Sequence, residues 1–595
     1  MGEKLSKDIQ PEELTVFKKM STNNLLDNIT IPERPENRRP TDRKFLIIFF
    51  VSVLVLMPFL IYTMVKGDLG RLSGYDQCGN VCGRKNDKYD EWSCTGKDTT
   101  DEPFLQFDTS NTNFDLENFV LIKRKCVATC ENGYVSSAGR CWKKASGTSS
   151  YGSLFDTSFE DPVRRFKRAL TFSSESDDPE IDVSDNISKH AWRIVLSCFL
   201  SVGVTLGMLF LFRTATAAVV WSILAGVLLF GSALVGGLWY MYFQVDEATA
   251  NGKNSKQSLL VLSIIFTISL LILFCVMVFM YKKIKLVIQL LKETTKAIFA
   301  MPTIIFTPLI TFVFSLIILV VLGFNSVMMF TSGTLTEFVP DYLYYKQNGV
   351  MIFTLIFNFW MAFWSLQFLN GIQYMVIGGA VATWYWSKNK NNLDSPISRS
   401  ASIVFRFHLG SIAFGSLIIT IIAIIRSILS SLGKNKSLKL CVDFCMGSIE
   451  SFLKFLSKNS YILTAMHGKP FYKSGKRAAK IIFQNAVNIA SVNYIGDFVL
   501  KMAQLLIIIV SLLINMLVMM GASGASVAIS YAIVFVVSLC VAVTFFSPFE
   551  TTIDTIFLCF CEDSLLNDGM ARPYAMSRDL MEFVENSKKI YGEKK

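Results

Sequence analysis

Two groups of residues have the types and spacing to do chemistry. The first is a polar and aromatic series, Asn358, Trp360, Trp364, Gln367, Asn370, Gln373 and Tyr374, set in an otherwise apolar stretch. Trp360 and Trp364 are one helical turn apart and share a face with Gln367 and, more loosely, with Asn370 and Tyr374. Aromatic faces attract cations through their quadrupole, so such a stripe suits a quaternary ammonium group that cannot donate a hydrogen bond. The amides would partner a hydroxyl. Packing is the alternative role for these rings, and an interfacial belt the alternative for Trp384, Tyr385 and Trp386. The second group is six of the thirteen cysteines, Cys78, Cys82, Cys94, Cys126, Cys130 and Cys141, crowded into one polar segment. An even, clustered set reads as up to three disulfides in an oxidising compartment. The CxxxC pairs Cys78/Cys82 and Cys126/Cys130 leave a zinc site as the alternative.

Ionisable candidates are few. Glu550 and Asp497 fall at expected cytosolic ends of apolar spans, and His408 at the cytosolic start of another, where each could act as a counter-charge to a cation or in gating. Capping or snorkelling is the alternative for the acids. For His408 it is a hydrogen bond to a neighbouring backbone carbonyl. The chain has no GxxxxGK[ST] loop, no HExxH and only three histidines, which argues against an ATP-driven pump or a zinc protease. No catalytic residue, metal or cofactor is expected.

The elements that must position these residues are membrane helices. Hydrophobic residues make up 52% of the 595, charged residues 18%, and the mean hydropathy is +0.42, more apolar surface than a soluble fold can hide. Apolar windows of about 20 residues, the length of a bilayer crossing, recur at 45–65, 192–212, 216–243, 258–281, 303–324, 351–386, 404–430, 499–521 and 526–547. A weaker window, 438–456, carries Lys439, Asp443, Glu450 and Lys454 and precedes a basic stretch that belongs in the cytosol. Counting it as the eighth span gives ten, with both termini inside. The alternative is a wholly cytosolic 431–498 with 351–386 doubling back at Asn370-Gly371.

The expected organisation is therefore an all-α polytopic membrane protein of about ten transmembrane helices. A polar cytosolic tail (1–44) leads into the first helix (45–65), which serves as its own signal anchor, and then into a large Cys-rich extracellular loop (66–190). Helices two to seven occupy 191–430, and 431–498 holds the weak span plus cytosolic amphipathic helices. Helices nine and ten occupy 499–548, and a cytosolic tail fills 549–595. The first loop carries 21 acidic against 17 basic residues, the reverse of the chain's net +11, as the positive-inside rule asks of an outer segment. Basic residues set largely in short loops flanking the apolar spans also argue against nucleic acid as a partner; the lipid bilayer is the expected one. Asn186-Ile187-Ser188 is a glycosylation sequon beside the second span.

With spans and loops placed, the remaining residues resemble the choline transporter-like family over roughly 45–577. Gly74 through Gly83 is similar to its G-x-D-x-x-G-N-x-C-G, and Cys126 through Cys130 to C-V-x-x-C-P, with Glu131 in place of Pro. Gly378 through Trp386 looks like the end of its sixth span, His408 through Ser416 like H-x-G-S-x-A-F-G-S, and Asn459 through Phe471 like N-x-Y-x-x-x-A-x-x-G-K-x-F. Asp554 through Asp563 followed by Asn567-Asp568-Gly569 is the most specific, although the chain then departs from the family pattern before Pro573-Tyr574. The resemblance implies ten spans, a glycosylated outer loop, cytosolic termini and a solute-carrier role for choline or ethanolamine in phospholipid supply. It leaves the plasma membrane, an endomembrane or the mitochondrial membrane as locations and says nothing of oligomeric state. A non-transporting surface or lipid-handling protein whose Cys-rich loop binds a partner, and a proton-coupled antiporter, stay open beside potential-driven facilitated transport.

Overall fold

In the computed structural model of the chain, residues 31–107, 124–131, 134–137, 139–143, 183–244, 250–339, 342–390, 393–432, 436–484, 486–520, 525–567, 574–577 and 581 are described. The tail before residue 31, most of the C-terminal tail, and Asp568 and Gly569 of the last motif lie outside them.

The main helices are α1 Arg43–Lys66, α2 Val183–Gln244, α3 Ala250–Phe279, α4 Tyr281–Ala300, α5 Phe306–Thr331, α6 Gly349–Trp386, α7 Pro396–Ile403, α8 Leu409–Leu432, α9 Lys436–His467, α10 Phe471–Gln484, α11 Ala486–Val518 and α12 Ala525–Leu566. Eight described helical segments are long and apolar enough to cross a membrane. One of them, His190–Gln244, has 55 residues, roughly 80 Å at about 1.5 Å per residue and so twice a crossing. It breaks at Ala215, whose φ of −138° and ψ of 41° are not helical. The break falls between the expected spans 192–212 and 216–243, beside Arg213 and Thr214, the polar interruption in this apolar run.

Helix α6 runs through 38 residues without a turn, so the chain does not double back at Asn370-Gly371. Gly371 serves a close approach instead: a Cβ there would sit 2.6 Å from Ile412. Helix α9 likewise runs unbroken through the expected boundary at 456, because the basic residue just beyond it, Lys458, is neutralised inside the protein by Glu550 and Asp554. Helix α4 has no counterpart among the expected spans. Ile284, Val287, Ile288, Leu291 and Ile298 recur at helical spacing and are buried, giving an amphipathic helix that packs on α2, α11 and α12.

Two compact units divide the chain. The smaller comprises Ile48–Pro179 and Phe314–Leu366. Its loop carries three disulfides, Cys78–Cys94, Cys82–Cys126 and Cys130–Cys141, so all six clustered sulfurs are spent on one another and none remains for zinc. They tie down a four-stranded sheet of β1 Phe104–Phe107, β2 Arg124–Val127, β3 Tyr134–Ser137 and β4 Arg140–Lys143, in the order β2-β1-β4-β3. A hairpin of β5 Thr334–Val339 and β6 Tyr342–Lys346 joins this loop through Leu343 N–H to the Gln77 carbonyl and Tyr345 Oη to the Gly79 carbonyl. These strands have only four to six residues each, too short for an alternation pattern to stand out in sequence. In the helical part, Asn325 bonds Asn358 at 3.0 Å and Thr63 bonds Asn325, satisfying amides that would be costly in lipid.

The larger unit comprises Met1–Ile47, Glu180–Val313 and Gln367–Lys595. Its core packs α2, α11 and α12 on one another around Phe212, Phe546 and Phe549, all fully buried. Small residues let neighbours close in: a Cβ on Gly378 would meet Ile462 at 3.0 Å, and one on Gly379 would collide with Ser400 Oγ.

Candidate functional site

Within the larger unit, α6, α8, α9, α10, α11 and α12 line an open cavity of about 1150 Å³. Gln367, Asn370 and Tyr374 line it from α6, Asp497 from α11 and Glu550 from α12. The spacing is the cause on α6: 367, 370 and 374 follow the i, i+3, i+7 rhythm of one face. The structure thus brings five of the residues singled out from the sequence to one wall.

The others lie elsewhere. Gln373 is buried on another face of α6, where its Oε1 accepts from Thr311 at 2.5 Å and its Nε2 donates to Ser547 at 2.7 Å, joining α5, α6 and α12. Trp364, 1% exposed, packs edge to face against Phe49 at 5.0 Å and against Trp360 at 6.5 Å, and neither tryptophan lines the cavity. Asn186 falls in the helical segment that opens α2, and its side chain lies outside the described residues.

His408 is fully buried in a π-helical turn, Val404–His408, ahead of α8. Its partners are side chains rather than a carbonyl. Arg38 Nη1 lies 3.0 Å from Nε2 and Thr41 Oγ1 lies 3.1 Å from Nδ1. A guanidinium only donates, so Nε2 must accept and Nδ1 carries the proton, which makes this imidazole neutral. Arg38 also donates to the Ala465 carbonyl at 2.6 Å, and burial draws its guanidinium down to about 10 against the opposing Glu33 carboxylate. Ser411 Oγ donates to the Asp42 carboxylate at 2.6 Å and lies 2.7 Å from Thr41 Oγ1, and a Cβ on Gly410 would strike the Thr41 carbonyl oxygen. The His-x-Gly-Ser run is therefore the seat on which residues 38–42 dock.

The sequence reading singles out Glu550 but passes over the two charges that partner around it, Lys458 and Asp554. Lys458, from α9, is buried with its Nζ 2.6 Å from Glu550 Oε1 and 2.7 Å from Asp554 Oδ2, and 5.3 Å from the centre of the Tyr374 ring. The Glu550 side chain remains 48% exposed, into the cavity, whereas that of Asp554 is 10% exposed. Arg426 bonds Glu450 at 2.8 Å, and Glu450 also holds Lys454 at 2.6 Å. The lining counts four carboxylates, Asp443, Asp497, Glu550 and Asp554, against three cations, Arg426, Lys454 and Lys458, together with the rings of Tyr374, Phe444, Phe452 and Tyr461. A signal for these residues does exist in the sequence: Glu550 and Asp554 are four apart, as are Glu450, Lys454 and Lys458, so each set shares a helix face.

Two further carboxylates of the last motif point away from the cavity. Glu562, fully buried, makes a bidentate pair with Arg477, with His467 at 3.5 Å. Asp563 accepts from Tyr385 Oη at 3.1 Å and from the Met576 amide at 2.9 Å. These fix the end of α12 to its neighbours.

A polytopic helical membrane protein with a disulfide-tied early loop and a charged, aromatic cavity among its helices is the class that this architecture defines. Within that class the chain belongs to the choline transporter family: the family model described as plasma-membrane choline transporter matches residues 264–565. The chain is 28% identical to choline transporter-like protein 1 of Mus musculus, with 94% of each chain covered. It is 27% identical to choline transporter-like protein 3 of Bos taurus, with 93% of each covered. Choline transporter-like protein 2 of Dictyostelium discoideum is 25% identical, over 91% of this chain and 94% of that one. The chain is accordingly a multi-pass protein of a plasma-membrane family.

Proposed function

We propose that the chain carries choline, or a closely related small organic cation such as ethanolamine, across the membrane through the cavity among α6, α8, α9, α10, α11 and α12. The observation that carries this reading is Glu550, a carboxylate half-exposed to the cavity and set beside Tyr374 and Asp497 on the same lining. A monocation gains from a carboxylate by charge and from an aromatic face by the ring quadrupole. Gln367 and Asn370 on the same wall suit the substrate hydroxyl. Three disulfides in the early loop support a reading in which that loop faces the oxidising side and the termini lie in the cytosol. Transport is facilitated and electrogenic: a monocation crossing the full potential gains about 2.3 kcal/mol per 100 mV, and consumption of the product in phospholipid synthesis maintains the flow.

The test is uptake of labelled choline into vesicles holding the purified protein. An inside-negative potassium diffusion potential should raise the initial rate without sodium or a pH gradient, and ethanolamine should compete. A second reading, proton-coupled antiport, draws on the four carboxylates that line the cavity. Uptake that ignores the potential and follows an imposed proton gradient would favour it. No uptake of any amine would sink both in favour of a non-transporting role.

A further inference from the structure

We infer that Lys458 is a built-in cation that occupies the anionic site while the substrate is absent and leaves it when the substrate binds. The inference rests on the proposed function for the identity of the incoming cation. Its own basis is geometric. The ammonium of Lys458 already has the environment that a substrate cation would seek: a carboxylate on either side at 2.6 and 2.7 Å and the ring of Tyr374 with its centre 5.3 Å away. It reaches this place from α9, whereas both carboxylates stand on α12.

Glu550 and Asp554 are one helical turn apart, and two such carboxylates facing inward repel unless a cation lies between them. Lys458 supplies that cation. The arrangement is asymmetric, because Asp554 is closed off while half of the Glu550 side chain faces the cavity. An organic cation arriving from the cavity therefore meets Glu550 and Tyr374 first. Once its charge is there, a second positive charge within a few ångströms is repelled, and the four-carbon stem of Lys458 allows the ammonium to withdraw. A quaternary ammonium cannot replace the N–H···O bonds, so the exchange substitutes charge and ring contact for hydrogen bonds. With those bonds goes one direct tie between α9 and α12, while the contact of His467 with Glu562 at the far end remains. Occupancy of the site is thereby converted into a loosened contact between two helices that line the cavity, the kind of differential contact that a ligand-driven change requires.

The experiment follows the reactivity of Lys458 in the intact wild-type protein by reductive methylation with formaldehyde and cyanoborohydride, read by mass spectrometry. Buried and paired, Lys458 should react slowly without ligand. Saturating choline or tetramethylammonium should raise its labelling about tenfold, while an equal concentration of sodium chloride should not. In parallel, K458Q should bind labelled choline about tenfold more tightly than wild type, since it removes the competing cation. Labelling unmoved by both ammonium ions overturns the inference, as does a folded K458Q that binds choline no better than wild type. Vesicle uptake separates this result from the proposed function. Choline uptake with an unresponsive Lys458 sinks the lysine exchange alone. Release of Lys458 by tetramethylammonium in a protein that neither binds nor carries choline sinks the choline reading and leaves the exchange standing.

Discussion

Replacing Glu550 by Gln is the sharpest single test of the cavity as a cation site. The change is nearly isosteric and leaves Lys458 its bond to Asp554 at 2.7 Å, so the helix contact survives while one cavity-facing charge is lost. A substrate cation resting about 5 Å from the carboxylate would gain about 3 kcal/mol at an effective dielectric constant of about 20. The Glu550 side chain is 48% exposed, and solvent screening reduces such a contact to about 1.5 kcal/mol, roughly a tenfold loss of affinity. Equilibrium binding of labelled choline to purified protein at low salt should show that loss. E562Q is the control, because Glu562 pairs with Arg477 and neither of the two is a lining residue. A well-folded E550Q that binds choline within twofold of wild type would refute the reasoning, since no other carboxylate on that wall has the same access to both the cavity and Tyr374.

The remaining predictions concern rings, latch and loop. Trp364→Ala should cost about 3–5 kcal/mol of stability through lost packing and leave the choline affinity of the folded fraction unchanged, whereas Tyr374→Leu should weaken binding about tenfold with a smaller stability loss; binding isotherms beside thermal unfolding decide, and the reverse pattern would restore the tryptophans as the cage. Glu562→Gln breaks a buried bidentate pair and should cost about 3–5 kcal/mol, seen as a lower unfolding midpoint without a change in choline affinity. Cys82–Cys126 closes 44 residues and Cys130–Cys141 closes 11, so replacing each pair by Ser should cost about 4 and about 3 kcal/mol respectively; midpoints in the opposite order would show that native contacts, not chain closure, dominate.

Much of the fold is legible in the chain because the bilayer imposes one strong rule, an apolar run of fixed length, and nine such runs stand out. The disulfide loop is legible for the same reason of compartment: six cysteines in one net-acidic segment have few other uses. What escapes are features whose signal lies in pairing between distant segments. The α4 helix has a helical apolar face but too many charges to resemble a span. Lys458 reads as a cytosolic base until Glu550 and Asp554, some ninety residues away, are seen beside it. Trp360 and Trp364 have the right chemistry for a cation, but one helix has several faces, and periodicity alone does not say which of them meets a cavity. Gln367, Asn370 and Tyr374 share the apparent stripe with the tryptophans, yet it is these three that reach the lining.

The distribution of charges inside this apolar protein gives the candidate site its distinctness. Burying an ion pair gains little over apolar packing, because desolvation offsets most of the attraction. The buried pairs here therefore invite two explanations. Arg477 with Glu562 is closed away from the cavity, bidentate, and joins α10 to the end of α12; such a pair fixes register and orientation. Lys458 with Glu550 and Asp554 is different, since three charges share one place, one carboxylate is left half-exposed, and an aromatic ring completes the surround. A purely structural pair would need neither the second carboxylate nor the opening. An anionic site with an exchangeable occupant requires both: the excess negative charge attracts the incoming cation, and the internal lysine keeps that charge compensated when none is there.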